Sequence, residues 1–252
     1  MSAAKQELLR RIRALAGSAL RRLGIQRSAV AGRHAAGAVR LFDHAFVSGG
    51  TFACPSNFDD ALRMTGRAED ARLLLDVWDQ FRANGEVAPT VRLGLGARLI
   101  NEHAVRERVS IGDHTVIRGM LRQERGGRIE VGRYVYVGDN SIINAAEEVV
   151  IGDHTLIAHN VNILDNDTHP IGTAEREAHF RYLLGERNGV AFRIESAPVR
   201  IGHHCWLGLN CTILKGVEIG DETIVGAGSV VNKPLPPGCF ASGVPAKPIK
   251  QL

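Results

Sequence analysis

The segment from Ile201 to Val231 reads IGHHCW LGLNCT ILKGVE IGDETI VGAGSV V, and an aliphatic residue opens each block of six: Ile201, Leu207, Ile213, Ile219, Val225 and Val231. Side chains repeat every 3.6 residues on a helix and every 2 on a strand, so neither element gives a period of six. A triangular coil does. Each block supplies one short strand and a corner, three blocks close a turn of about eighteen residues, and stacked turns hydrogen-bond as parallel sheets. Gly202, Gly208, Gly220 and Gly226 follow the aliphatic residue, where a bend calls for a residue without Cβ. The fifth slot holds small or β-branched side chains at Cys205, Cys211, Thr223 and Ser229.

The same pattern extends towards the N-terminus in three further phases, through Ile151, Ile157 and Ile163, through Val131, Val137 and Ile143, and through Leu93, Leu99, Val105, Ile111 and Ile117. Ile111, Val131 and Ile151 stand twenty residues apart, one coil with two extra residues at a corner. The repeat breaks after Ile163 and resumes near Val199, so residues 164–198 form a loop inserted in the coil. Long insertions in solenoids belong to function. Before Pro89 the period is helical. Leu8, Ile12, Leu15, Ala19 and Leu23 make one stripe over residues 5–23, and Ala71, Leu74, Trp78 and Phe81 another over 68–82, with an irregular stretch over 32–55 between them. The expected organisation is an N-terminal helical and irregular region, 1–88, and a mainly β domain of hexapeptide repeats, 89–252.

Composition agrees with a narrow coil. Hydrophobic residues make up 44% of the chain and aromatics only 5%, with 28 glycines, so the core is built from small and branched side chains. Cys54, Cys205, Cys211 and Cys239 contain no Cys-x-x-Cys pair, which argues against a zinc ribbon or a redox motif and points to a reducing cytoplasm. No run of about 18 apolar residues is present, as a membrane span would need. The net charge of +4 is modest and gives no reason to expect a nucleic-acid partner. Its excess lies in the first forty residues, where Glu7 is the only acid before Asp43, and this basic helix could make peripheral contact with an anionic membrane.

Three stretches carry a family resemblance: IGDHTLIA from Ile151, CWLGLN from Cys205 and IGDETIVGAGSVV from Ile219, closed by GVPAK from Gly243. The chain from Leu93 to Leu252 resembles the hexapeptide-repeat acyltransferases, closest to the sugar and polysaccharide O-acetyltransferases of the maltose, galactoside and xenobiotic acetyltransferase type. The resemblance implies a left-handed parallel β-helix, against the right-handed preference of parallel crossovers. It further implies acetyl-CoA as co-substrate, no metal, a homotrimer with shared active sites, and a glycan or small-molecule hydroxyl as acceptor.

The inserted loop opens with Asp165-Asn166-Asp167-Thr168-His169-Pro170. An imidazole near carboxylates is a suitable general base, because an acid fixes its tautomer and stabilises the imidazolium. In the resembled enzymes a His, often followed by Pro, takes the acceptor proton as the loop leaves the coil, which assigns that role to His169. Asp167 is the favoured partner acid, with Asp165, Glu175 and Glu177 as alternatives. Asn140 resembles an acceptor-binding Asn, and Asp165 is grouped with it as acceptor-binding. Asn140 reads equally well as a corner residue, and Ala145-Ala146-Glu147 departs from the family pattern beside it. By resemblance Trp206, Gly208, Ala227 and Gly228 line the pantetheine groove, while Asn232, Lys233 and Lys247 lie towards the nucleotide end, where lysine offers a compact cation for phosphate. His159 resembles the first histidine of a zinc-binding branch, but Leu164 stands where the second is required, so no metal is expected. Cys205 and Cys211, in the fifth slot, read as buried small hydrophobes rather than nucleophiles. The expected activity is acetyl-CoA-dependent O-acetylation. N-acylation of an amino sugar and a non-catalytic trimeric scaffold are the alternatives.

Overall fold

A computed structural model describes residues 50–186 and 189–252. The helix expected over 5–23, its basic face and most of the irregular stretch 32–55 lie outside the described residues. Helix α1 (Phe58–Thr65) starts where the Asn57 side chain accepts a hydrogen bond from the Asp60 N–H and stops at Gly66 in a left-handed conformation. Helix α2 (Ala68–Asn84) buries Ala71, Leu74, Val77, Trp78 and Phe81, the expected stripe with Val77 added. It covers the open end of the coil. Gln80 Oε1 accepts from the Leu99 N–H at 3.1 Å, and Asn101 Nδ2 donates to the Asn84 carbonyl at 2.8 Å.

The remainder winds into a left-handed parallel β-helix whose walls are sheets of nine, six and six strands. Leu93, Ile117, Val137, Ile157, Leu207, Val225 and Ala241 stack in register inside the first wall. Leu99, Leu121, Ile143, Ile163, Ile213 and Val231 stack inside the second. The third carries Val87, Ile111, Val131, Ile151, Ile201 and Ile219. Antiparallel pairs close both ends, Thr51–Phe52 on Arg92–Gly94 and Cys239–Gly243 on Ala246–Gln251. Because Ile151 pairs with Ile201 as directly as Val131 pairs with Ile151, the inserted loop leaves the register of the coil undisturbed.

Val105 departs from the periodic reading: it is 44% exposed. Asn101 is buried at the corner and donates to the Val105 carbonyl, and a 3-10 turn at Arg106–Arg108 returns the chain so that Val109 and Ile111 enter the core instead. On another corner His114, Tyr134, His154 and His204 adopt positive φ and stack ring on ring at 4.7–4.9 Å.

The corner glycines are required by the approach of adjacent coils. A Cβ on Gly152 would lie 2.6 Å from the carbonyl carbon of Gly202 in the next coil, so backbone would have to move. Gly152→Ala is expected to cost about 1–3 kcal/mol, read as a lower denaturation midpoint with unchanged slope.

Candidate functional site

The strand Asn162–Leu164 ends on Asp165, and this residue determines where the inserted loop departs. Its fully buried carboxylate accepts hydrogen bonds from the N–H groups of Ala146 (2.8 Å), Glu147 (2.7 Å) and Glu148 (2.8 Å) on the preceding coil, and from Asn166 Nδ2 at 3.0 Å. The returning chain is tied to the same point, because Ala197 N–H donates to the Asp165 carbonyl at 2.8 Å. Thr168 follows with φ 59° and donates its N–H to Asn166 Oδ1 at 2.9 Å. His169 is thereby held at the mouth of the loop, its own N–H bonded to the Asp167 carbonyl oxygen.

The imidazole of His169 meets that of His179, with the two Nδ1 atoms 3.1 Å apart. His179 lies on helix α3 (Thr173–Leu183), is 8% exposed and packs its ring against Phe192 with centroids 4.8 Å apart. Burial foremost, then His169 and Arg125, hold His179 below the ordinary histidine pKa, so the neutral ring is favoured.

Both histidines line a cleft of about 470 Å³ between α3, the loop segment at Ile194 and the outer edge of the second wall. The floor comes from the strands Met120–Gln123 and Ile142–Ala145, which present Gln123 and Asn144. Gln123 is 1% exposed and Asn144 8%, and neither Gln123 Nε2 nor Asn144 Oδ1 has a hydrogen-bond partner among the described residues. Both atoms are closed to solvent, as are Trp78 Nε1 and Asn101 Oδ1, which also have no partner among the described residues. Charge at the rim is balanced. Arg122 Nε donates to Glu124 at 3.0 Å, and Arg125 donates from its backbone to Glu102 and from its side chain to the Ile194 carbonyl.

Of the residues singled out in the sequence, only His169 lines this cleft. Asp167 directs its carboxylate to Lys215 Nζ at 2.6 Å, so the side chain bonded to His169 is that of His179. The oxygens of Asp165 are occupied by backbone N–H groups, and Asn140 stands on an exposed corner with φ 58°, as Asn160 and Asn210 do on the coils above. Trp206 lies on the outer face of the nine-stranded wall between Leu156 and Ile224, 51% exposed. Gly208 faces Ala227, where a Cβ would come within 2.6 Å of the Ala227 nitrogen. Ala227, Gly228, Asn232 and Lys233 are exposed on the last coils and Lys247 on the terminal hairpin. His159 is a corner brace: its Nδ1 accepts the Asp139 N–H at 2.9 Å. Among the described residues no three His, Cys, Asp or Glu side chains are grouped to hold a metal ion.

Asn144, Gln123 and His179 escaped the sequence reading. Asn144 pairs in register with Leu164, one residue before Asp165, so coil arithmetic alone could have brought it beside the loop. His179 gave no such signal, because the insertion carries no repeat.

The chain matches the family described as the hexapeptide repeat of succinyl-transferase over residues 198–233. Galactoside O-acetyltransferase of Escherichia coli (strain K12) is 34% identical over 143 residues, which are 57% of this chain and 64% of that enzyme, so the match spans less than two thirds of its length. The colanic acid biosynthesis protein WcaF of Escherichia coli (strain K12) is 30% identical over 141 residues, 56% of this chain and 68% of that one. Among solved structures, AntD, an N-acyltransferase from Bacillus cereus in complex with dTDP and 3-hydroxybutyryl-CoA, shares the fold. Its TM-score is 0.54 at 18% identity, over 69% of this chain and 87% of that chain.

Proposed function

Because the chain belongs to the hexapeptide-repeat acyltransferase family, we propose that it transfers an acetyl group from acetyl-CoA to a hydroxyl of a sugar, in a polysaccharide or glycolipid precursor. The observation that carries this reading is His169 lining a polar cleft, with its Nδ1 3.1 Å from the Nδ1 of His179. A sugar suits a cleft lined by Glu102, Arg122, Asn144 and Thr168, since each hydroxyl both donates and accepts. The side chain of Asn144 hydrogen-bonds a neighbouring hydroxyl, while His169 takes the proton of the hydroxyl that reacts. The freed oxygen bonds to the thioester carbonyl carbon, the carbon–sulfur bond breaks, and the imidazolium returns its proton to the departing thiolate.

The donor-side assignments remain those of the family. Trp206, Gly208, Ala227 and Gly228 flank the pantetheine arm, and Asn232, Lys233 and Lys247 face the phosphates. These residues do not line the His169 cleft of their own chain, which supports a groove completed by a second copy. The outward ladder Val116, Tyr136, Leu156, Trp206, Ile224 and Phe240 on the nine-stranded wall is an apolar strip suited to that contact, in a homotrimer. On this reading the coil is the transferase domain of a cytoplasmic enzyme, and it begins before the expected boundary at 89, since Glu86–Val87 already pairs in its third wall.

Thiol release from acetyl-CoA, followed over a panel of methyl glycosides and amino sugars, tests the assignment. Release with neutral glycosides and an alkali-labile product is expected, and release with amino sugars alone would overturn O-acetylation. Asn144→Ala is expected to raise the acceptor KM about tenfold, the loss of one hydrogen bond, with the acetyl-CoA KM unchanged.

A further inference from the structure

Among the described residues no carboxylate is hydrogen-bonded to His169. Asp167 is held by Lys215, and Asp165 by backbone N–H groups. The hydrogen-bond partner of the His169 ring is the imidazole of His179, Nδ1 to Nδ1 at 3.1 Å. One proton must lie between these two nitrogens, and two neutral arrangements satisfy that. If His179 donates, the Nδ1 of His169 is the acceptor, its proton sits on Nε2, and it has no free lone pair with which to act as a base. If His169 donates, its proton sits on Nδ1 and its Nε2 lone pair is free. The second arrangement alone survives turnover, since an imidazolium at 169 carries hydrogen on both nitrogens and needs an acceptor opposite Nδ1.

Resting on the reading of His169 as the base, we infer that His179 is its positioning residue: the His179 Nδ1 lone pair accepts the His169 Nδ1–H and leaves the Nε2 of His169 free to take the acceptor proton. The surroundings of His179 keep that lone pair available. The ring is buried against Phe192. The charged and titratable groups facing it across the cleft are His169, Arg122, Glu124, Arg125 and Glu102. Arg122 pairs with Glu124, and the backbone N–H of Arg125 donates to Glu102, so neither carboxylate is free to draw a proton onto His179. Burial of the ring first, then His169 and Arg125, disfavour its protonation. A neutral histidine thus stands where an orienting acid would otherwise be, fixing the tautomer without adding a negative charge to the cleft.

Nitrogen-15 NMR of the imidazoles in the full chain reads the tautomers without any substrate. Protonated Nδ1 on His169 with protonated Nε2 on His179 is the expected result, and the reverse assignment overturns the inference even if no variant folds. Kinetics of three variants, each checked for an unchanged melting curve, supply a second readout. His179→Asn keeps an acceptor oxygen where Nδ1 was, His179→Leu removes it, and His179→Asp substitutes a carboxylate. His179→Leu is expected to lower kcat about 10- to 100-fold with the acetyl-CoA KM unchanged. His179→Asn recovers most of the rate, and His179→Asp moves the acidic limb of the kcat/KM profile to higher pH, because a carboxylate stabilises an imidazolium. Equal rates for the Leu and Asn variants would contradict the inference while leaving the base in place. Loss of the base assignment itself would show separately, as full activity in His169→Ala.

Discussion

His169→Ala is expected to lower kcat for acetyl transfer by about 10²- to 10⁴-fold and to leave the Kd for acetyl-CoA unchanged. The magnitude is that of a positioned base, because the cleft, the amide floor and the donor groove all remain when the imidazole is removed. Residual turnover then reflects the alignment of two bound substrates alone. The unchanged donor affinity matters as much as the lost rate. His169 lines a cleft that contains none of the residues assigned to the donor, so its removal should act on the chemical step and not on binding. Single-turnover quench with saturating acetyl-CoA separates the two, and a fall in donor affinity with normal kcat would contradict the base assignment.

Asp165→Ala is expected to cost about 3–5 kcal/mol of stability and to lower the melting temperature by roughly 6–20 °C. The carboxylate serves as acceptor for three consecutive backbone N–H groups, at Ala146, Glu147 and Glu148, and the site is closed to water. Truncation removes the acceptor that all three donors share. The same change releases the loop that carries His169, so activity falls below the melting transition as well. Calorimetric melting of wild type and variant checks it, and an unaltered melting temperature would show that water or a neighbouring group replaces the carboxylate.

The coil was legible because its period is enforced at every turn. Ile201, Leu207 and Ile213 each face inward from a different wall, and a glycine such as Gly152 is demanded wherever two coils touch. Helix α2 was legible for a similar reason, its stripe from Ala71 to Phe81 being read directly from spacing. Where the coil itself departs from its period, the reading failed. Val105 fits the six-residue phase in sequence but is displaced by the buried Asn101 and the 3-10 turn behind it. The inserted loop shows the deeper limit. His169 could be singled out by its chemistry and its place after a strand, but the partners of its carboxylate neighbours depend on contacts between distant residues. Lys215 claims Asp167 from 48 positions along the chain, and α3 delivers His179 from a segment with no repeat to read. Asn144 was not singled out in the sequence, and it is the register with Leu164 that sets it beside the loop.

A calorimetric titration of acetyl-CoA into the full chain, with no acceptor present, tests the central claim most directly. Saturable binding that persists in His169→Ala is the result expected of an acetyl-CoA-dependent transferase whose donor groove is separate from its base. The absence of saturable binding in both proteins would contradict the transferase assignment and leave a coil that serves only as a scaffold.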